Sequence, residues 1–108
     1  VLRCTAMWIL QSDAEHRSSM TFRIRPGGVK TVGRATRADF VIDAALVSRL
    51  HCRLEAHDER LSVVDLDSTN GTWDNGKRVE RARLGDGDRL RVGRIELTVS
   101  LQANWRLS

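Results

Sequence analysis

No window of eleven or more residues in this chain keeps a helical period, and turn signals cut it into short segments. Pro26-Gly27-Gly28, Asn70-Gly71, Asn75-Gly76 and Gly85-Asp86-Gly87-Asp88 are the cuts. Between them the residues alternate apolar with polar or are rich in β-branched types, as half-buried strands require. Met20, Phe22 and Ile24 alternate with Thr21, Arg23 and Arg25; Cys52 and Leu54 alternate with Arg53 and Glu55. Leu61 and Val63, with Asp65 in the same phase, alternate with Ser62 and Val64. Met7–Leu10, Val29–Val32, Phe40–Ile42, Arg89–Val92 and Ile95–Leu101 read as further strands. Ala44–Val47 has room for one helical turn at most.

The count is eight to eleven short strands, with a turn roughly every 8 to 12 residues. An all-β, antiparallel sandwich or barrel follows, because parallel pairing needs long crossovers that the chain lacks. With 108 residues there is enough chain for one domain with its own core, expected over about residues 7–101. There is no repeat, low-complexity tract or linker. No apolar run approaches the roughly 20 residues that cross a bilayer, and no secretory pattern is visible. Val1–Ala6 precede the first methionine, Met7, and whether they are native stays open.

Charge is distributed unevenly. There are 18 Lys and Arg against 14 Asp and Glu, a formal +4, and all but Lys30 and Lys77 of the bases are arginine. GC-rich coding explains such a total but not its placement. Arg17, Arg23, Arg25, Lys30, Arg34 and Arg37 follow one another with no acid between them. From Glu55 to Asp74 there are six acids and one base, Arg60. A segregated basic run of arginines, with their planar forks of donors, suggests an anionic partner. Nucleic acid is not the expected anion, since stacking needs aromatics among the bases and Phe22 is the only one from Arg17 to Arg37.

Cys4 and Cys52 make neither a disulfide framework nor a zinc site; Cys52 lies in an apolar alternation, as a buried thiol would. A reducing compartment follows, with the cytoplasm expected and the nucleus as the alternative. His51 has no second histidine or cysteine at ligand spacing, so no metal or other cofactor is expected. His16 and His57 read as surface residues. No nucleophile–base pair or pair of carboxylates can be assembled, which argues against an enzyme.

In a sandwich the strands build the core and the connections carry function. Three connections stand out, Gly33 to Asp39, Asp43 to His51 and Asp67 to Gly76, and they contain the stretches Gly33-Arg34, Ser48-Arg49-Leu50-His51, and Asp67-Ser68-Thr69-Asn70-Gly71-Thr72. In order and spacing they resemble the forkhead-associated (FHA) domain, a phosphothreonine-peptide binding module. The resemblance runs on through Asn75–Val79 and Leu84–Gly93 and covers roughly Phe22 to Val99.

The resemblance implies a β-sandwich of two twisted sheets, about eleven strands in all, with phosphopeptide bound by loops at one end. It implies that Arg34 contacts the phosphate, that Ser48 and Thr69 donate hydroxyls to it, and that Arg49 reaches the phosphate or the peptide backbone. Asn70 would bond the peptide main chain on both sides of the phosphothreonine. His51 would be structural, holding the phosphate loop through backbone hydrogen bonds. Gly33 would allow a tight turn through a positive φ. Gly71 would leave room for a turn and the ligand. The γ-methyl of the phosphothreonine would occupy a small apolar pocket. Leu46 stands where some relatives carry an arginine that reads an acidic residue three positions after the phosphothreonine, so an aliphatic residue is expected there instead. The implied partner is a threonine-phosphorylated protein, with no membrane and no nucleic acid. The domain is expected to be a monomeric part of a larger protein. A phosphate-independent module of the same fold is the alternative.

Overall fold

The computed structural model describes residues 2–12 and 19–107, with side chains over 6–12 and 19–103. His16 and Arg17 lie outside the described residues. Eleven strands run in order: β1 (Leu2–Ser12), β2 (Thr21–Ile24), β3 (Val29–Gly33), β4 (Phe40–Val41), β5 (Cys52–Ala56), β6 (Leu61–Asp65), β7 (Thr72–Asp74), β8 (Lys77–Val79), β9 (Arg81–Leu84), β10 (Arg89–Val92) and β11 (Ile95–Leu107). One sheet has the order β2-β1-β11-β10-β7-β8 and the other β4-β3-β5-β6-β9.

The period-two alternation in sequence becomes the two sides of each sheet. Cys52, Leu54 and Ala56 of β5 are buried, as are Leu61 and Val63 of β6, while Arg53, Glu55, Ser62 and Val64 between them are not. Opposite them lie Trp8 and Leu10 of β1, Leu90 and Val92 of β10, and Leu97 and Val99 of β11, all fully buried. Each such aliphatic side chain contributes about 1.5–3 kcal/mol through burial. Trp8 also needs a partner for its indole N–H, and donates it to the His57 carbonyl at 2.7 Å.

The four edge strands, β2, β8, β4 and β9, have only four, three, two and four residues. Short edges offer little unpaired backbone to another chain. The β7–β8 hairpin turns on Asn75 (φ 48°) and Gly76 (φ 85°), the double positive φ that a two-residue hairpin of this type needs.

Two features differ from the sequence reading. β1 and β11 are longer than their alternation suggests and pair from Leu2↔Leu107 to Ser12↔Leu97. And β4 pairs with β3 in parallel, Val32↔Phe40 and Gly33↔Val41, where antiparallel pairing was expected throughout. The long-crossover rule does not reach this case. The pairing spans only two residues, and the connection 34–39 doubles back at once, with Ala38 N–H bonded to Ala35 O at 3.0 Å.

The connections β3–β4, β4–β5, β6–β7 and β10–β11 meet at one end of the sandwich, joined by Arg34 N–H to Ser48 O (2.9 Å) and Gly93 N–H to Gly71 O (3.5 Å). Among the described residues three of the four buried polar ones, His51, Ser68 and Thr72, sit here.

Candidate functional site

Three residues, Leu46 to Ser48, are the spine of this end. Leu46 adopts φ 74°, a conformation that costs an ordinary side chain about 1–3 kcal/mol and persists only where its surroundings hold it. They do: Val47 is buried, and its N–H bonds Ala44 O at 3.3 Å. The chain also packs against Gly93, where a Cβ would come within 2.7 Å of Leu46 O.

Side chains from two other loops then hang on this spine. Arg34 donates Nε–H to Val47 O at 3.1 Å. Asn70 donates from Nδ2 to Leu46 O at 3.1 Å. The Thr69 N–H donates to Ser48 Oγ at 3.1 Å. Arg34, Ser48, Thr69 and Asn70, distant in the chain, are thereby fixed within one loop cluster.

His51 holds the spine from beneath. It is fully buried. Its Nδ1 accepts the Ser48 N–H at 3.0 Å, and its Nε2 lies 2.7 Å from Gly71 O. An amide N–H on one ring nitrogen and a carbonyl on the other are both satisfied only by the neutral ring protonated at Nε2. Burial pushes its pKa below the ordinary 6.5, against the opposing pull of Gly71 O and the Asp65 carboxylate. The expected structural role for His51 thus has a specific form: it ties the β4–β5 loop to the β6–β7 loop.

The β6–β7 loop has its own support, which sequence reasoning missed. Asp65 accepts from Ser68 Oγ (2.5 Å), Ser68 N–H (3.1 Å) and Thr72 Oγ1 (2.7 Å). Ser68 Oγ in turn accepts the Gly71 N–H at 3.1 Å. Burial raises the Asp65 carboxyl, but the donations from Ser68 and Thr72 outweigh it and the net shift is downward. Trp73 adds a further contact, donating Nε1–H to Asn70 O at 3.2 Å while Arg91 lies over its ring. The sequence signal was faint: Asp65 stands at an inward position of an alternating strand, where a carboxylate needs donors.

Gly33 is needed for a different reason from the one expected. Its φ is not positive. A Cβ there would sit 2.0 Å from Arg49 O, so the β3–β4 and β4–β5 backbones cross too closely for any side chain. Gly71 does take φ 90°, and a Cβ on it would meet the Arg78 guanidinium at 2.8 Å. Asn70 does not share the positive φ; the double positive φ of a two-residue hairpin belongs to Asn75-Gly76.

Arg34, Arg49 and Thr69 are exposed, and Ser48 and Asn70 are partly so. Among the described residues the terminal nitrogens of Arg34, the whole Arg49 guanidinium and the Thr69 hydroxyl have no hydrogen-bond partner in the protein. The Ser48 oxygen accepts, which leaves its proton free to donate. Asn70 keeps its carbonyl oxygen and one N–H. The cluster is rich in outward-facing donors, and the half-buried Asp65 carboxylate is engaged by three donors of its own. Such a surface is matched to an anion with several acceptor oxygens.

Known proteins resemble this chain in sequence and fold. A family model described as the FHA domain matches residues 30–93. An ABC transporter ATP-binding/permease protein of Mycobacterium tuberculosis is 41% identical over 78 residues, 72% of this chain and 9% of that protein. The FHA domain-containing protein FhaA of the same organism is 34% identical over 84 residues, 78% of this chain and 16% of that protein. The chain thus spans a small part of the length of these two relatives. The crystal structure of the FhaA FHA domain complexed with the intracellular domain of Rv3910 matches with a TM-score of 0.76 at 35% identity, covering 85% of this chain and 98% of that one. A structure from an analysis of phosphothreonine-dependent FHA domain interactions matches with a TM-score of 0.74 at 31% identity, covering 89% and 95%. With the family model spanning more than half of its residues and the fold in agreement, the chain belongs to the FHA domain family.

Proposed function

We propose that this domain is a reversible reader of phosphothreonine in a partner protein. The observation that supports it most is the common anchoring of Arg34, Ser48, Thr69 and Asn70 on the Leu46–Ser48 segment, with their spare donors facing out. A phosphothreonine brings about −1.5 to −2 charge and three strong acceptor oxygens. In this reading Arg34 supplies the cation, Ser48 and Thr69 supply hydroxyl donors, and Arg49 reaches the phosphate or the peptide backbone. Asn70 bonds the peptide main chain with the amide atoms left over from Leu46. His51, Gly33 and Gly71 act by holding the loops. Leu46, 41% exposed beside Asn70, offers an apolar contact to an aliphatic residue downstream of the phosphothreonine.

Hydrogen bonds to a charged group net about 1.5–3 kcal/mol each. Four of them, less the cost of ordering a peptide, suggest about −7 to −9 kcal/mol, near micromolar. In the same reading the domain is a binding module rather than an enzyme, and a monomeric part of a larger protein. Its partner is a threonine-phosphorylated protein, met in the cytoplasm. The match to FhaA, solved with a bound protein domain, supports the peptide-binding part of this reading.

An oriented phosphothreonine library, followed by calorimetry on the best peptide, tests it. Phosphothreonine should bind near micromolar and the unphosphorylated peptide not measurably. Phosphoserine should cost about 1–3 kcal/mol, the worth of one methyl in a shaped pocket. Equal binding with and without phosphate would replace this reading by a phosphate-independent contact; parity of the two phosphoresidues would remove the methyl pocket.

A further inference from the structure

Beside the cluster lies an open cleft of about 490 Å³, lined by Arg34, Ala35, Thr36, Arg37, Asp43 and Arg49. It holds three guanidinium groups against one carboxylate. One of the three, Arg37, belongs to no motif and forms no ion pair among the described residues; the two salt bridges there are Arg53–Glu55 and Arg89–Glu96. The acid nearest to it in sequence, Asp39, is committed elsewhere. Its carboxylate accepts the Thr31 N–H at 2.8 Å and the Thr31 hydroxyl at 3.1 Å, and Thr31 Oγ1 accepts the Asp39 N–H in return.

The loop that carries Arg37 is pinned on both sides. Ala35 N–H bonds Arg49 O at 3.1 Å, Ala38 is buried, and Ile42 N–H bonds Gly33 O at 2.8 Å. An exposed arginine on a braced loop loses less freedom on binding than one on a floppy loop. A single phosphate accounts for Arg34 and the hydroxyls. It leaves the charge of Arg37, which lines the same cleft, uncompensated.

Resting on the phosphothreonine reading, we propose that Arg37 binds a second anionic side chain of the same peptide, a carboxylate or a further phosphate close to the phosphothreonine. Arg37 is then a specificity residue: it selects among phosphothreonine peptides and is not needed for holding the first phosphate. Exposed pairs of this kind are weak and salt-sensitive, so the preference is graded.

The test is anisotropy titration of the domain with phosphothreonine peptides flanked by alanine. Single Glu, Gln or additional phosphothreonine residues are scanned through the flanking positions. At one or two positions Glu should bind about fivefold more tightly than Gln at low salt. The additional phosphothreonine at the same positions tells whether a phosphate or a carboxylate is the better occupant. Arg37→Ala should abolish the gain and Arg37→Glu invert it, while binding of the alanine-flanked peptide stays within about twofold. Equal binding of the Glu, Gln and doubly phosphorylated peptides at every position would overturn the proposal, as would an Arg37→Ala loss shared equally by all peptides. Failure of the alanine-flanked phosphothreonine peptide to bind at all would instead bring down the phosphothreonine reading, and this proposal with it.

Discussion

Arg34→Ala should weaken phosphothreonine-peptide binding at least about tenfold while leaving the folded domain almost as stable as before. The loss in binding follows from removing a charged, forked donor from an anion, worth about 1.5–3 kcal/mol per hydrogen bond. The small effect on stability follows from where the side chain sits. It is exposed, and the truncation removes a single side-chain bond within the protein, Nε–H to Val47 O, worth about 0.5–1.5 kcal/mol. The melting temperature should drop by no more than about 4–8 °C, the shift for 1 kcal/mol in a domain of this size. Calorimetry for binding and thermal denaturation for stability measure the two separately. Equal peptide affinity in the variant would count against Arg34 as the cation, and a collapse in stability would make any binding loss uninformative about it.

His51→Ala should do the reverse, striking stability first and binding second. It strands the Ser48 N–H, costing about 1–3 kcal/mol without a partner, leaves the buried Gly71 O with only the long bond from Gly93 N–H, and opens a cavity besides. A loss of at least about 3 kcal/mol is expected in denaturant titration. The same residue predicts a pH dependence. In the fold His51 stays neutral, because a proton on Nδ1 would displace the Ser48 N–H. Its folded pKa therefore lies below the ordinary 6.5, while in the unfolded chain it takes up a proton near 6.5. The unfolded state then binds more protons as pH falls through 6.5, so stability is full above that value and is lost progressively below it. Asp65 acts in the same sense further down, its lowered carboxyl contributing stability that is lost below about its ordinary 3.8. Denaturation midpoints between pH 7.5 and 5 should thus slope downward on acidification in the parent domain and more shallowly in His51→Ala. A variant as stable as the parent would contradict the tie between the two loops.

What the chain discloses in sequence, and what it hides, divides along physical lines. Inward and outward faces of β2, β5 and β6 were legible because each has one drier side, and a period of two leaves no other register. The loop residues Arg34, Ser48, Thr69 and Asn70 were legible through their resemblance to a family pattern, and the loops bring them together. Strands β7, β8 and β9 were not singled out, since they carry Trp73, Asp74, Lys77, Arg78, Arg81 and Arg83; their strand state comes from pairing with β10 and β6 more than from their own pattern. The role of Gly33 was misread because a close crossing with Arg49 O is a contact between segments, and no local propensity reports it. The Asp65–Ser68–Thr72 network and the left-handed Leu46 were hidden for the same reason. The Asn75-Gly76 turn lay in plain view because its positive φ values are a local requirement.

The most direct check is an amide NMR titration of the isotopically labelled domain with one phosphothreonine peptide. Saturable shifts should concentrate at residues 33–35, 46–51 and 68–71, the three loops that meet on the Leu46–Ser48 spine. Perturbations centred instead on 25–28, 57–60 or 85–88, at the opposite end of the sandwich, would contradict it.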